Sequence, residues 1–341
     1  MSKDPQVTLV VVPRERFSCT VESLESIYEH TQLPFNLVYV DGNSPPKIQR
    51  YLQAQAHTRP FQLIRTNTFL YPNQARNLGL AQVKTPYVVF IDNDVIVSPG
   101  WLNALVNCAE ETGATVVGPL MCQDKPLHQT IHFAGGEAHI WTDQAGNRRL
   151  REKMYQQGQR VMEQRDRLQR QPTELAEFHC VLVRTEIFER LGGLDEAMLN
   201  TKEHLDFCMT VAQAGGSIYF EPASLVTYVQ PSSLDWNDLH YYKLRWSDAW
   251  TLASLNHLRQ KWNLAEDAYF QTKYKHLGWR RKTMIIKPLI RYLTFGLGRG
   301  GRLLEPMLVA IDRWFDRYLC DRHAKRQERI ANQVPPTGIG L

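Results

Sequence analysis

No apolar stretch of this 341-residue chain runs unbroken for the roughly 18 residues that a membrane-spanning helix needs, so no such helix is expected. No signal peptide is expected by the same reading. Met1 to Gln6 is polar, and the apolar run after it, Val7 to Val12, is too short and reads as a strand. The six cysteines (Cys19, Cys108, Cys122, Cys180, Cys208, Cys320) stand far apart with no C-x-x-C pair. That argues against a zinc site and against a disulfide framework, and it points to a reducing cytoplasm, with peripheral placement on the inner face of the membrane as the variant. No recognisable nucleic-acid motif accompanies the basic residues, and nucleic acid is not expected as a partner.

What is present is enough apolar material, 43% of residues, to bury a sizeable core, either as one large α/β domain or as a domain with an appendage. The net charge of +5 is unevenly spread. Beyond residue 270 there are 15 Lys/Arg against 5 Asp/Glu, which leaves 25 against 30 before it. A mildly acidic body with a basic tail suits a soluble enzyme that leans on an anionic surface.

The organising stretch is Thr85 to Trp101, TPYVVFIDNDVIVSPGW. Val88 to Ile91 make a short buried strand that runs into Asp92-Asn93-Asp94, and a Ser98-to-Gly100 turn opens the next helix. Two carboxylates one residue apart raise each other's charging cost, and a divalent cation removes that cost, so the pair suggests a metal or phosphate site. The plainer reading is that Asp92 caps a turn.

Around that stretch strands and helices alternate. Val7 to Val12, Phe35 to Val40, Phe61 to Arg65 and Tyr87 to Ile91 read as strands of a mostly parallel sheet. Thr20 to His30, with Thr20 as its N-cap, Ile48 to Ala56 and Asn73 to Val83 read as the helices between them. In such a sheet ligands bind beyond the carboxyl ends of the strands, where Asp41, Asp92 and the segment Pro13 to Arg16 all fall. Gln123 to Asn147 reads as loop or short strands, and the charged run Arg148 to Glu177 as a helical flap or a solvated insertion. Glu203-His204-Leu205-Asp206 opens a helix with both carboxylates on one face, although acidic residues in a first turn also serve the helix dipole.

Past Pro231 helices dominate to about Ala331. Arg280, Arg281, Lys282, Lys287, Arg291, Arg299 and Arg302 interleave with Ile285, Ile286, Leu289, Ile290, Leu293, Phe295 and Trp314. That mixture suits an interfacial amphipathic helix pair on an anionic membrane, or a helical appendage packed on the core or on a second copy of the chain. The expected division is 1–230 for the sheet domain and 231–335 for a basic helical region that contacts acceptor, membrane surface or oligomer partner.

Taken in order, these motifs resemble the family 2 glycosyltransferases of the GT-A fold, over roughly Val7 to Tyr228. The residues that carry the likeness are the strand ending in Pro13, Val40-Asp41-Gly42-Asn43-Ser44, Gln74-Ala75-Arg76-Asn77-Leu78-Gly79, Asp92-Asn93-Asp94, Gly192-Gly193-Leu194-Asp195-Glu196, and Glu203-His204-Leu205-Asp206-Phe207-Cys208. The resemblance implies a GT-A (Rossmann-like) mostly parallel sheet flanked by helices with a C-terminal helical appendage. It implies a nucleotide-sugar donor, a UDP-sugar first among them, whose base and ribose lie over the first two strand ends at Pro13, Glu15 and Asp41. Arg76 and Asn77 would face the nucleotide. Asp94 would hold Mn²⁺ or Mg²⁺, with Asp92 beside it on the ribose or on a metal-bound water.

The activity implied is inverting, hexosyltransferase-like transfer to a hydroxyl of a carbohydrate, lipid-linked or protein acceptor, in polysaccharide, glycolipid or other glycoconjugate synthesis. A carboxylate of the E-D-x-D segment would be the base. The chain departs from the pattern there: His204 takes the first Asp position, leaving Glu203, Asp206 or His204 itself, with Glu203 preferred. Tyr228 stands where many members place a metal-holding histidine, and Arg14-Glu15-Arg16 replaces small or polar residues. Two other readings compete. One is a non-catalytic nucleotide-sugar-binding protein on the same scaffold. The other is a haloacid-dehalogenase-like phosphatase with Asp92 as nucleophile, which the repeated βα units preceding the motif disfavour.

Overall fold

A computed structural model describes residues 4–231, 233–295 and 298–333, with side chains outside 298–303 and 331–333. The expected tail limit at residue 335 and the side chains of Arg299 and Arg302 lie outside the described residues.

Strand β1 (Val7–Val12) is buried along its whole length, as an unbroken β-branched run demands when both sheet faces are covered. Each such valine contributes roughly 1.5–3 kcal/mol relative to leaving it in water. Helix α1 (Thr20–His30) follows and turns Leu24 and Ile27 inward. Its N-cap is Cys19, one residue before the expected Thr20. The Thr20 hydroxyl is used instead to accept from the Tyr39 hydroxyl and from Asn93 Nδ2, both at 3.2 Å.

Then come β2 (Phe35–Gly42), α2 (Pro46–Thr58), β3 (Gln62–Thr66), α3 (Pro72–Leu80) and β4 (Tyr87–Asp92). The four strands lie side by side, parallel, in the order β4-β1-β2-β3. Helix α3 crosses β1 so closely that a Cβ at Gly79 would lie 2.2 Å from Val10 Cγ1, which is why the A-R-N-x-G segment ends on glycine.

The second half of the sheet is mixed. After β5 (Val95–Val97) and α4 (Trp101–Thr112), β6 (Val116–Gln123) leads into the short β7 (Thr130–Phe133). The charged insertion is not a helical flap. It is a hairpin of β8 (Gly136–Thr142) and β9 (Arg148–Met154), followed by one helical turn, α5 (Val161–Gln164), and the two-residue β10 (Gln171–Pro172). Ala138 and Leu150 are its buried apolar positions, and Glu152, two residues on from Leu150, turns inward to Lys202 while most of the other charges point outward, a period of two hidden by the density of charge.

Strand β11 (Cys180–Arg184) inserts antiparallel between β4 and β6. Helices α6 (Ile187–Leu191) and α7 (Glu203–Gln213) then lead to β12 (Ile218–Tyr228), parallel to β6.

Past the sheet lie α8 (Leu239–Arg245), α9 (Asp248–Trp262), α10 (Ala268–Lys275), α11 (Trp279–Arg281), α12 (Lys287–Leu293) and α13 (Gly298–Gln333). A π-helical turn, Lys282–Ile286, joins α11 to α12. Tyr241, Leu255, Leu258 and Phe270 from these helices belong to the same hydrophobic core as the sheet. Arg281, fully buried, ties α11 to α9 and α13 through Asp248 and Asp312, at 3.0 and 2.9 Å. Among the described residues no helix is long and apolar enough to cross a membrane.

Candidate active site

The site lies where β1, β4 and β11 end or begin. Because β11 runs antiparallel to β4, the residue entering it meets the residue leaving β4: the Asp92 backbone N–H donates to the His179 carbonyl at 2.9 Å. One ligand atom each from Asp92, Asp94 and His179 lie within 4.8 Å of one another, all buried. Asn93, between the acids, is structural. Its side chain accepts from the Arg14 N–H at 3.0 Å and donates to the Arg16 carbonyl at 2.8 Å, fastening the loop after β1.

The charges around the cluster are unevenly matched. Asp92 accepts from Arg76 Nη2 at 3.1 Å and has Arg14 Nε at 3.5 Å and His179 Nδ1 at 3.1 Å. Arg76 is buried, stacked on Phe178 at 4.2 Å, and so supports Asp92 from the interior. Asp94 has nothing comparable: both its carboxylate oxygens are buried without a hydrogen-bond partner among the described residues, and so is His179 Nδ1. Burial, then the neighbouring Asp92 and Glu15 charges, raise Asp94 well above the usual carboxylate range. Burial, then Arg14 and His132, hold His179 well below the usual histidine range, so its imidazole keeps a lone pair at neutral pH. Two carboxylates and a neutral imidazole with unsatisfied atoms converging on one point make a donor set that fits a divalent cation.

Tyr228 stacks on His179 at 4.1 Å and donates its hydroxyl to Glu15 at 2.8 Å. Trp246 Nε1 donates to the other Glu15 oxygen at 2.8 Å, so the fully buried Glu15 is engaged on both sides. A cavity of about 550 Å³ opens beside the cluster, with Arg14, His179, Tyr228, Glu203, His204 and Arg280 among its walls.

The other expected site residues are distributed as follows. Asp41 is buried, accepts from the Ser44 N–H at 2.8 Å and pairs with Arg65. Pro13 takes a bond from the Tyr241 hydroxyl at 3.2 Å on its carbonyl. Asn77 faces the G-G-L-D-E segment, bonding the Leu194 backbone N–H and carbonyl, both at 2.8 Å, instead of lining the cavity. Glu203 and Asp206 share a helix but not a neighbourhood. Asp206 accepts from Lys261 Nζ and Trp262 Nε1, each at 2.7 Å, outside the main cavity. Glu203 lies 3.3 Å from Arg245 and 3.9 Å from Arg14. Burial alone would raise its pKa, yet Arg245, Arg76, His204 and Arg14 bring it down to about 2.

His204 lines the cavity as Glu203 does, and its Nε2 is buried without a hydrogen-bond partner among the described residues. That atom is 3.4 Å from Glu177 and 3.9 Å from Glu152. Burial opposes its charging, but Glu177, then Glu152 and Glu203, raise its pKa above the usual histidine value. Two residues before it, Lys202 has φ 66°, a left-handed conformation rare outside glycine, and is anchored by Glu152 at 2.6 Å.

His179, Glu177 and Glu152 were not singled out in the sequence. A lone histidine before a strand gains meaning only once that strand is known to run antiparallel to β4. The two glutamates sat inside a run that read as a solvated surface.

The profile of Glycosyl transferase family 2 matches residues 8–192, from β1 to the end of α6. This chain belongs to glycosyl transferase family 2. The match includes Asp92, Asp94 and His179 and stops short of Glu203 and His204, and membership removes the phosphatase reading. Among curated relatives of this family 2 chain, a pre-mycofactocin glycosyltransferase of Mycobacterium tuberculosis is 27% identical over 166 residues, 48% of this chain and 32% of the relative. Polypeptide N-acetylgalactosaminyltransferase 9 of Homo sapiens is 24% identical over 273 residues, 76% of this chain and 44% of the relative. The chain thus spans less than half the length of these two relatives. A solved structure described as GalNAc-T7 with UDP, GalNAc and Mn2+ is similar at 16% identity and a TM-score of 0.49, over 82% of this chain and 57% of that one.

Proposed function

We propose that the chain transfers a sugar from a nucleoside-diphosphate donor to a hydroxyl acceptor with inversion, the donor diphosphate lying against Asp92, Asp94 and His179. What carries this reading is the pair of buried, unpartnered Asp94 oxygens facing Asp92 and a neutral His179. Mn²⁺ or Mg²⁺ held by these three residues would offset the charge that builds on the departing diphosphate. Arg14, with Asp92 on one side and Glu203 on the other, positions a cationic group at the same wall of the cavity.

For the base we assign His204 in place of the Glu203 first preferred. Glu203 is held by Arg245 and Arg14, and Asp206 by Lys261 and Trp262, so neither carboxylate is a ready proton acceptor. His204 lines the cavity, and its Nε2, buried beside Glu177 and Glu152, would take the proton of a hydroxyl brought against it, while the two glutamates stabilise the imidazolium formed. Arg76 and Asn77 serve as supports, one beneath Asp92 and one along the Gly193–Glu196 segment. Asp41, Glu15 and Pro13 border the nucleoside side, as the strand-end rule suggests.

The test is nucleotide-sugar turnover, a UDP-sugar first, in the presence of Mn²⁺. Transfer or slow hydrolysis that stops with a chelator and is absent in Asp94→Asn supports the assignment. Donor binding without any turnover in the parent chain would favour a non-catalytic sugar-nucleotide binder.

A further inference from the structure

Helix α13 (Gly298–Gln333) shows two faces of opposite character. Inward it carries Asp312 and Asp316, which pair with Lys243 and Arg281 at 2.5 to 3.5 Å, together with buried Leu319, Cys320 and His323. Outward, at three- and four-residue spacing, it presents Met307, Ile311, Trp314, Phe315 and Tyr318, all exposed, Trp314 at 63%. The same line continues by steps of four, three and four residues to Arg322, Lys325 and Arg329, also exposed. Arg313 and Arg317 flank the apolar part.

Helix α12 adds to this surface. The sequence stretch that mixed apolar and basic residues separates here into inward Ile286 and Ile290, which are buried, and outward Leu289, Tyr292 and Leu293 beside exposed Lys287 and Arg291. A hollow of about 230 Å³ lies between α11 and α13, with Trp279 and Arg313 in its walls, and Trp279 also lines the main cavity. The apolar and basic surface therefore reaches the cavity mouth.

Five exposed apolar side chains on one helical face are more than solvent exposure explains, and the charges decide what covers them. Asp312 and Asp316 are used inside and Glu305 pairs with Lys282, which leaves exposed Asp321 and Glu328 against Arg313, Arg317, Arg322, Lys325 and Arg329, so the face is net cationic. A two-fold contact with a second copy would set this net cationic face against itself, which disfavours it. A neutral apolar partner would leave those cations unused.

We infer that the outer face of α12 and α13 docks on an anionic lipid surface, with Met307, Ile311, Trp314 and Tyr318 entering the headgroup layer and Arg322, Lys325 and Arg329 meeting lipid phosphates. This does not rest on the transferase assignment. If both hold, the cavity opens at the bilayer, where an acceptor carried on a lipid is presented.

The experiment is co-sedimentation of the full chain with phosphatidylglycerol-containing vesicles and with pure phosphatidylcholine vesicles. Binding to the first and not the second is expected, weakening as salt rises. Arg322→Glu with Lys325→Glu should lower the partition coefficient at least roughly thirty-fold. Trp314→Ser with Tyr318→Ser should lower it independently, and neither pair should shift the thermal midpoint or metal-dependent nucleotide binding. Equal sedimentation of parent and variants, or of the parent on both vesicle types, overturns the inference. So does a chain that ignores vesicles but sediments as a dimer dissolved by the same substitutions, which would assign the face to a second copy.

Discussion

At the scale of single residues, the strongest feature is a contrast within one helical turn. Glu203 and His204 are neighbours, yet one is held by arginines and the other is left with a bare ring nitrogen between carboxylates. His204→Gln should lower turnover by about 10²–10⁴ with donor affinity kept. The rise of kcat/KM with pH, which should run through a pKa above the ordinary histidine value, should vanish with it. Glu177→Gln removes the charge that favours the imidazolium and should move that rise to lower pH without abolishing it.

Glu203 works in the opposite sense. A carboxylate brought down to about 2 in the fold contributes stability above its unfolded value near 4.5, lost as pH falls from there toward 2. Acid unfolding of Glu203→Gln should lose that dependence, worth up to roughly 3 kcal/mol at neutral pH. Asp92 and Asp94 were legible in the sequence because a buried strand ends on them. That both acids of the Glu203 segment are held was not, since that depends on Arg245 of α8 and Lys261 of α9 packed opposite.

Elements explain why some motifs could be read and others could not. The A-R-N-x-G segment is a packing device as much as a binding one: α3 touches β1 at Gly79, and Gly79→Ala places a Cβ against Val10. That variant should lose about 1–3 kcal/mol in urea unfolding, more than a surface glycine would. Asp206→Asn should likewise destabilise by about 1–3 kcal/mol while sparing turnover, because its partners Lys261 and Trp262 belong to the frame.

The parallel strands were plain from the β-branched run Val7 to Val12 and from its alternation with helices and short apolar segments. The antiparallel insertion of β11 was invisible to that pattern, and with it went His179, whose place beside Asp92 follows wholly from strand direction. The β8–β9 hairpin was hidden by charge. Its role, presenting Glu152 to Lys202 and His204, appears only in three dimensions.

For the molecule as a whole, charge is unevenly divided although the helices share the core of the sheet. An acidic body holds the cluster and a basic helical region closes over it, with Arg280 stacked on Trp246 at 3.9 Å above Glu15. The family match ends at residue 192, ahead of α7, α9, α10 and α11, which supply part of the cavity wall.

The most direct measurement is calorimetric titration of Mn²⁺ and UDP into the parent chain, Asp94→Asn and His179→Gln, with thermal melting as the control for folding. If Asp92, Asp94 and His179 hold the cation, UDP affinity in the parent depends on Mn²⁺. That dependence is then lost in Asp94→Asn and weakened in His179→Gln at unchanged melting temperature. Parent-like Mn²⁺-dependent affinity in both variants would contradict the assignment.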